Sequence, residues 1–232
     1  MNQLGSLSPA PVWEIFEKIC SIPHPSGHEE MLAEALAADA RARGLAVRRD
    51  AAGNLRIDRA AAPGFESAPV ILLQAHLDMV PQKNNDKKFD FLKDPIRAYV
   101  DGDWVTADGT TLGADNGIGA AAILAVLEDD TLEHGPLEAL FTATEETGMA
   151  GAFGLKKGLL KGDILLNLDS ETEGELYVGC AGGLDANIVF KYAAEPTPAR
   201  NYTAARITVK GLKGGHSGIQ IVCQRANANK VL

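Results

Sequence analysis

The segment VILLQAHLDMVP, residues 70–81, opens with four branched aliphatic residues and then presents a histidine and an aspartate two positions apart. Side chains of an extended strand alternate between its faces, so i and i+2 share one face. His76 and Asp78 therefore emerge side by side where the apolar run ends. An imidazole with a neighbouring carboxylate is the arrangement of a metal-binding histidine and the group that orients it.

Outward from this segment, strands alternate with helices. Leu137–Thr142 and Ile164–Leu168 read as further buried strands, and Ala46–Arg49 and Leu55–Ile57 as short ones joined by the turn residues Ala52-Gly53-Asn54. Val12, Ile15, Phe16 and Ile19 have the spacing of an amphipathic helix over Pro11–Ile22. Ser26 reads as the N-cap of a second helix, which Gly44 ends. A third is predicted from Asn116 through the apolar run Ile118–Leu127, and a fourth over Ala150–Leu160. The alternation predicts an α/β layered domain with a mostly parallel central sheet over residues 1–183. Such sheets gather ligands beyond the carboxyl ends of their strands. After Gly182-Gly183, Asp185–Tyr192 and Ala204–Val209 alternate like half-exposed strands, so residues 184–232 are expected to begin a second, α+β domain. The last residues, Ala228–Leu232, read as the start of a helix without a terminal cap, the expectation for a truncated piece of a longer chain.

With 232 residues, 46% of them hydrophobic, the chain is long enough to bury a substantial core. A net charge of −9, with no basic cluster beyond Lys87-Lys88, argues against a nucleic-acid or anionic-membrane surface. The beginning, MNQLGSLSPAP, lacks the regions of a signal peptide, and no apolar run is long enough to span a bilayer, so a cytoplasmic protein is expected. Cys20, Cys180 and Cys223 are far apart and form no C-x-x-C pair, which leaves histidine and carboxylates to hold any metal.

Four clusters stand at predicted strand ends or helix starts: His76-Leu77-Asp78, Gly113-Ala114-Asp115-Asn116-Gly117, Glu145-Glu146 and Asp169. Each alone has an ordinary explanation as a turn, a cap or a solvated helix start. Together they form a histidine and carboxylate set suited to zinc, manganese or cobalt. The two oxygens of Asp115 suit a bridge between cations about 3.5–4 Å apart. An adjacent pair such as Glu145-Glu146 serves two tasks at once, since a carboxylate acting as base must be free of the metal that its neighbour binds.

HLDMV, GTTLGADNGIG, TEETGMAGAFGL, NLDSE and KGLKGGHSG, in this order, resemble the dinuclear-zinc exopeptidases, and SIPHPSGHEE and QAHLDMVPQKNND bring the resemblance closest to their aminoacyl-histidine dipeptidase branch. The resemblance implies two zinc ions, with His76 and Asp169 on one, Asp115 between them and Glu146 on the other. It also implies Glu145 as general base, Asp78 as the partner that orients His76, and a strained peptide at Asp115-Asn116. The activity implied is hydrolysis of dipeptides, of Xaa-His type, by a metal-activated water. The second domain becomes a lid or dimerisation domain, and His216, otherwise a turn histidine, reaches into the partner subunit's active site of a homodimer. Two features depart from the pattern. The family supplies a further zinc-binding histidine after the lid, for which His24, His28 and His134 are poor substitutes; and Val222 stands where a histidine is common.

Two other classes compete. Gly117-Ile118-Gly119-Ala120-Ala121-Ala122 fits the dinucleotide pattern G-x-G-x-x-A, but Asp115 would set negative charge beside the pyrophosphate. The stronger rival is a non-catalytic fragment that keeps the sheet without the turnover. A serine hydrolase is disfavoured, because Gly-His-Ser-Gly-Ile lacks the second glycine of G-x-S-x-G.

Overall fold

The apolar run of the opening segment becomes strand β3 (Ile71–His76), flanked on its two sides by β6 (Leu137–Thr142) and β7 (Ile164–Asn167), both parallel to it. Beyond β6 lie β2 (Leu55–Arg59) and β1 (Ala46–Arg49), each antiparallel to its inner neighbour, which completes the order β1-β2-β6-β3-β7. Four of the five strands thus run one way and β2 alone opposes them. The computed structural model describes residues 4–170, 172–180, 182, 186–196, 200–201, 203–215 and 220–232. These divide into two units, Met1–Gly179 and Cys180–Leu232.

In the first unit the alternation of the strands decides what each face of the sheet carries. Leu55 and Ile57, Leu73 and Ala75, and Leu137, Ala139 and Phe141 stand in register on one face. They join one core with Phe16 and Ile19 of α1 (Ala10–Cys20), Leu32 and Leu36 of α2 (Glu30–Ala42) and Ile123 and Leu124 of α3 (Ala114–Glu128). Burial of this apolar face is the main force that holds the helices to the sheet. Within α3, Asp115 and Asn116 depart from helical backbone angles and the peptide between them is cis. Gly119 lets the helix approach β7, since a Cβ there would lie 2.7 Å from the Leu168 carbonyl oxygen. Close packing thus accounts for this glycine of the dinucleotide-like pattern.

The opposite face is polar at its foot. Arg56 of β2 and Glu138 of β6, each 5% exposed, pair at 2.6 Å. Arg56 also binds Asp58 and donates to the Leu159 carbonyl, while Glu138 Oε2 accepts from the amides of Lys161 at 2.8 Å and Gly162 at 3.0 Å. This network fixes the segment that feeds β7.

Several elements differ from expectation. The fourth helix is only α4 (Ala150–Gly154), because Gly154 packs against Ala52 and the chain turns extended at Leu155 to reach the Arg56 network. α2 begins at Glu30, and the hydroxyl of Ser26 binds the Asp78 carboxylate instead of capping the helix. A hairpin of β4 (Ala98–Asp101) and β5 (Trp104–Ala107) was not anticipated, although Asp101-Gly102-Asp103, with Gly102 at φ 61°, is a hairpin turn signal. In the second unit the described residues contain a 3₁₀ turn at Ile221–Cys223 and α5 (Ala228–Val231), capped by the Asn227 side chain, and no strand. The alternating apolar residues there, such as Ile188 and Ile207, are exposed and have no neighbouring strand among the described residues. No helix is long and apolar enough to cross a membrane among the described residues.

Removing Glu138 takes from Arg56 one of its two carboxylate partners, with Asp58 remaining, and leaves the partly buried amides of Lys161 and Gly162 without their acceptor, at about 1–3 kcal/mol. Glu138→Ala is therefore expected to lower the urea unfolding midpoint by that amount of stability, and a shift below about 1 kcal/mol would show that the pair is solvated in solution.

Candidate metal centre

The centre is assembled at the carboxyl ends of three adjacent parallel strands. β3 delivers His76 in the middle, the turn after β6 delivers Glu145 and Glu146, and the chain leaving β7 delivers Asp169. The irregular start of α3 adds Asp115. The His76 side chain is 1% exposed; its Nδ1 donates to the Asp78 carbonyl oxygen at 2.9 Å. That bond leaves Nε2 to face Asp115 Oδ1 at 3.0 Å and Asp169 Oδ1 at 3.6 Å. His76, Asp115 and Glu146 each offer a ligand atom within 4.8 Å of the others.

These spacings fit a cation. Four ligand atoms placed tetrahedrally about 2.0 Å from a zinc ion stand about 3.3 Å from one another. An imidazole nitrogen with carboxylate oxygens is also the donor chemistry of zinc, manganese or cobalt. Asp115 occupies the middle position, against His76 on one side and grouped with Glu146 on the other. Asn116 Nδ2 donates to Asp169 Oδ1 at 2.5 Å, and the Asp169 amide donates to Asn167 Oδ1 at 3.0 Å, so Asp169 is oriented from two sides.

Electrostatics give the same reading. Burial, with the repulsion of Asp115, pushes Asp169 up to about 6 and raises Glu146 above its ordinary range. Burial opposes the charge on His76, but the hydrogen bonds and charges of Asp115, Asp78 and Asp169 outweigh it and push the imidazole up to about 10. Burial likewise works against charge on Asp78, yet His76, Ser26 and the amides of Glu145 and Glu146 bring its carboxyl down to about 2.

Asp78 does more than face His76. Its carboxylate oxygen is 3.4 Å from His76 Nδ1, a longer approach than its contacts to the Glu145 amide at 2.8 Å and the Ser26 hydroxyl at 2.7 Å. A fourth contact reaches the Glu146 amide at 3.1 Å. One buried carboxylate thereby ties the histidine to the turn that carries both glutamates. Sequence reasoning overlooked this, and it overlooked Ser26, Glu29 and Asn54, whose side chains also meet this turn or Asp78. Their signal was present in SIPHPSGHEE and in Gly53-Asn54, polar residues in short loops beside apolar elements. His216 lies outside the described residues. His24 and His134 bind the carbonyls of Ile22 and Gly135, and neither they nor His28 join the cluster of possible ligands.

An imidazole raised to about 10 still holds its Nε2 proton at pH 7, so a cation must displace it. Binding of zinc at pH 7 is expected to release about one proton and to weaken as pH falls. Calorimetry in buffers of different ionisation enthalpy measures this release, and an enthalpy independent of buffer would contradict it.

The chain is 57% identical over all 232 residues to the cytosol non-specific dipeptidase of Escherichia coli strain K12, covering 48% of that protein. Its fold matches the crystal structure of aminoacylhistidine dipeptidase from Vibrio alginolyticus with a TM-score of 0.76 and 51% identity, over 98% of this chain and 46% of that one. A tripeptidase from Staphylococcus aureus matches with a TM-score of 0.59 and 26% identity, over 70% of this chain and 43% of the other. The chain thus spans about half the length of the first two relatives. Residues 72–216, which run from the second residue of β3 past every residue of the cluster, match the peptidase family M20/M25/M40, and the chain belongs to that family.

Proposed function

We propose that this chain carries the catalytic chemistry of a metal-dependent dipeptidase, cleaving the amide bond of Xaa-His dipeptides in the cytoplasm. The observation that carries the reading is the convergence of His76, Asp115 and Glu146 beside Glu145 at one edge of the sheet. The names of two relatives that match along nearly the whole chain, a cytosol non-specific dipeptidase and an aminoacylhistidine dipeptidase, support a dipeptide substrate and differ on its breadth. A net charge of −9 supports the absence of a nucleic-acid or membrane partner.

In this reading His76 and Asp169 would hold one cation and Glu146 a second, and Asp115 would serve both. Bound there, zinc, or manganese or cobalt in its place, supplies Lewis acidity toward the peptide carbonyl and acidifies water. The protein's own work is proton transfer and alignment. Glu145 takes the proton of the attacking water and delivers it to the leaving amine. Asp78 keeps His76 in the orientation that presents Nε2 and fixes the amides of Glu145 and Glu146. Residues 184–232 begin the lid of a homodimer, in which His216 stabilises the developing oxyanion of the partner's site.

Glu145→Ala is expected to lower kcat for Xaa-His dipeptides by about 10²–10⁴-fold while bound metal stays unchanged. Purified chain, free of any full-length dipeptidase and loaded with zinc, manganese or cobalt, provides the comparison. Near-normal turnover by the variant would overturn the role of Glu145. An inert unaltered chain that still binds metal would favour the non-catalytic reading.

A further inference from the structure

We propose that Glu29 is a positioning residue for the Glu145-Glu146 turn, holding Thr144 in a left-handed backbone conformation that aims both glutamates at the centre. The inference rests on the reading of Glu145 as base and Glu146 as ligand. Glu29 lies at the end of the loop before α2, only 7% exposed, and belongs to neither the ligand set nor the base. A single oxygen, Oε1, accepts from the Thr144 amide at 2.9 Å, the Thr144 hydroxyl at 3.2 Å and the Gly27 amide at 2.8 Å.

Thr144 needs such a hold. Its φ is 55°, a region in which a β-branched residue is an outlier and persists only where its surroundings over-determine it. Glu29 binds both donors of this one residue, immediately before Glu145 in the chain. The neighbouring amides are fixed the same way: Ala143 donates to Asn54 Oδ1 at 3.1 Å, and Glu145 and Glu146 donate to Asp78 at 2.8 Å and 3.1 Å. Four consecutive amides at the end of β6 are thus held by side chains from three distant segments. A turn stabilised only by its own sequence would not need them. Glu29 supplies the contact at the one of these four positions whose φ is positive.

Because all three donors use Oε1, the arrangement calls for an acceptor oxygen in that place. A glutamine with its carbonyl oxygen there keeps every contact, whereas a methionine of similar shape keeps none. Glu29→Gln is therefore expected to retain kcat and cobalt affinity within about fivefold, since it preserves the positioning contacts. Glu29→Met is expected to lose about 10–100-fold in each with KM little changed, the range for outer residues that support a metal site. Amide hydrogen exchange over residues 143–147 reads the hold without any turnover, and is expected to accelerate about tenfold or more in Glu29→Met alone. Leu36→Ala, which removes a core side chain of α2 away from this turn, controls for lost stability and should leave exchange over 143–147 and cobalt affinity near those of the unaltered chain.

Equal damage by glutamine and methionine, unchanged exchange in Glu29→Met, or the same losses in Leu36→Ala would each overturn the positioning role. If the unaltered chain has no activity toward dipeptides, the dipeptidase reading fails, and cobalt affinity and exchange still decide the role of Glu29.

Discussion

The parallel register of β6, β3 and β7 is the constraint on which the centre depends. Pairing of Ile71 with Leu137 and with Ile164 brings three strand ends to one edge of the sheet, with His76 in the middle and the chain turning toward Glu145 and Asp169 on either side. A slip of one residue in β3 would send His76 to the face that packs on the helices. In the observed register Leu73 and Ala75 join the core on the helix-covered face while His76 stands on the other. Stability and the placement of the histidine are therefore one property of the strand.

A second requirement is electrostatic. Carboxylates from Asp115, Glu146 and Asp169 are gathered around one imidazole, and burial together with their mutual repulsion raises the protonation range of Glu146 and Asp169. The fold supports this crowding with donors placed around it. Asp78 is held ionised by His76, Ser26 and two amides, and the same contacts fasten the turn after β6. Hydrogen bonds to a charged group contribute about 1.5–3 kcal/mol each, enough for a few of them to fix a short turn against its entropy of about 1–2 kcal/mol per residue. The Arg56 and Glu138 pair acts at the other end of the strands, where it fixes the approach to β7 and so the strand that leads to Asp169.

Much of this was legible in the sequence because it rests on period and order. Val70–Leu73 and Leu137–Thr142 announced buried parallel strands, and Ile164–Leu168 announced the third, although β7 is an exposed edge with Leu165 57% accessible; the polar residues just beyond them announced what the strand ends carry. What stayed hidden depends on contacts between distant segments. Ser26 looks like a helix cap until its hydroxyl is seen on Asp78. Glu29 looks like one acidic residue of a helix start until Thr144 is seen on it. Local spacing carries no record of such pairings, which are separated by 52 and 115 residues. The alternation at Ala204–Val209 shows the opposite limit, since it matches the pattern of a strand and has no neighbouring strand among the described residues.

The central claim, that these strand ends form a centre for divalent cations with Asp115 at its middle, is tested most directly by counting bound metal. Purified chain equilibrated with zinc at neutral pH and freed of excess would be assayed by plasma mass spectrometry beside Asp115→Ala. The account predicts about one to two ions per chain, lost in the variant. A chain that retains no zinc, or a variant that retains as much as the unaltered protein, would contradict it.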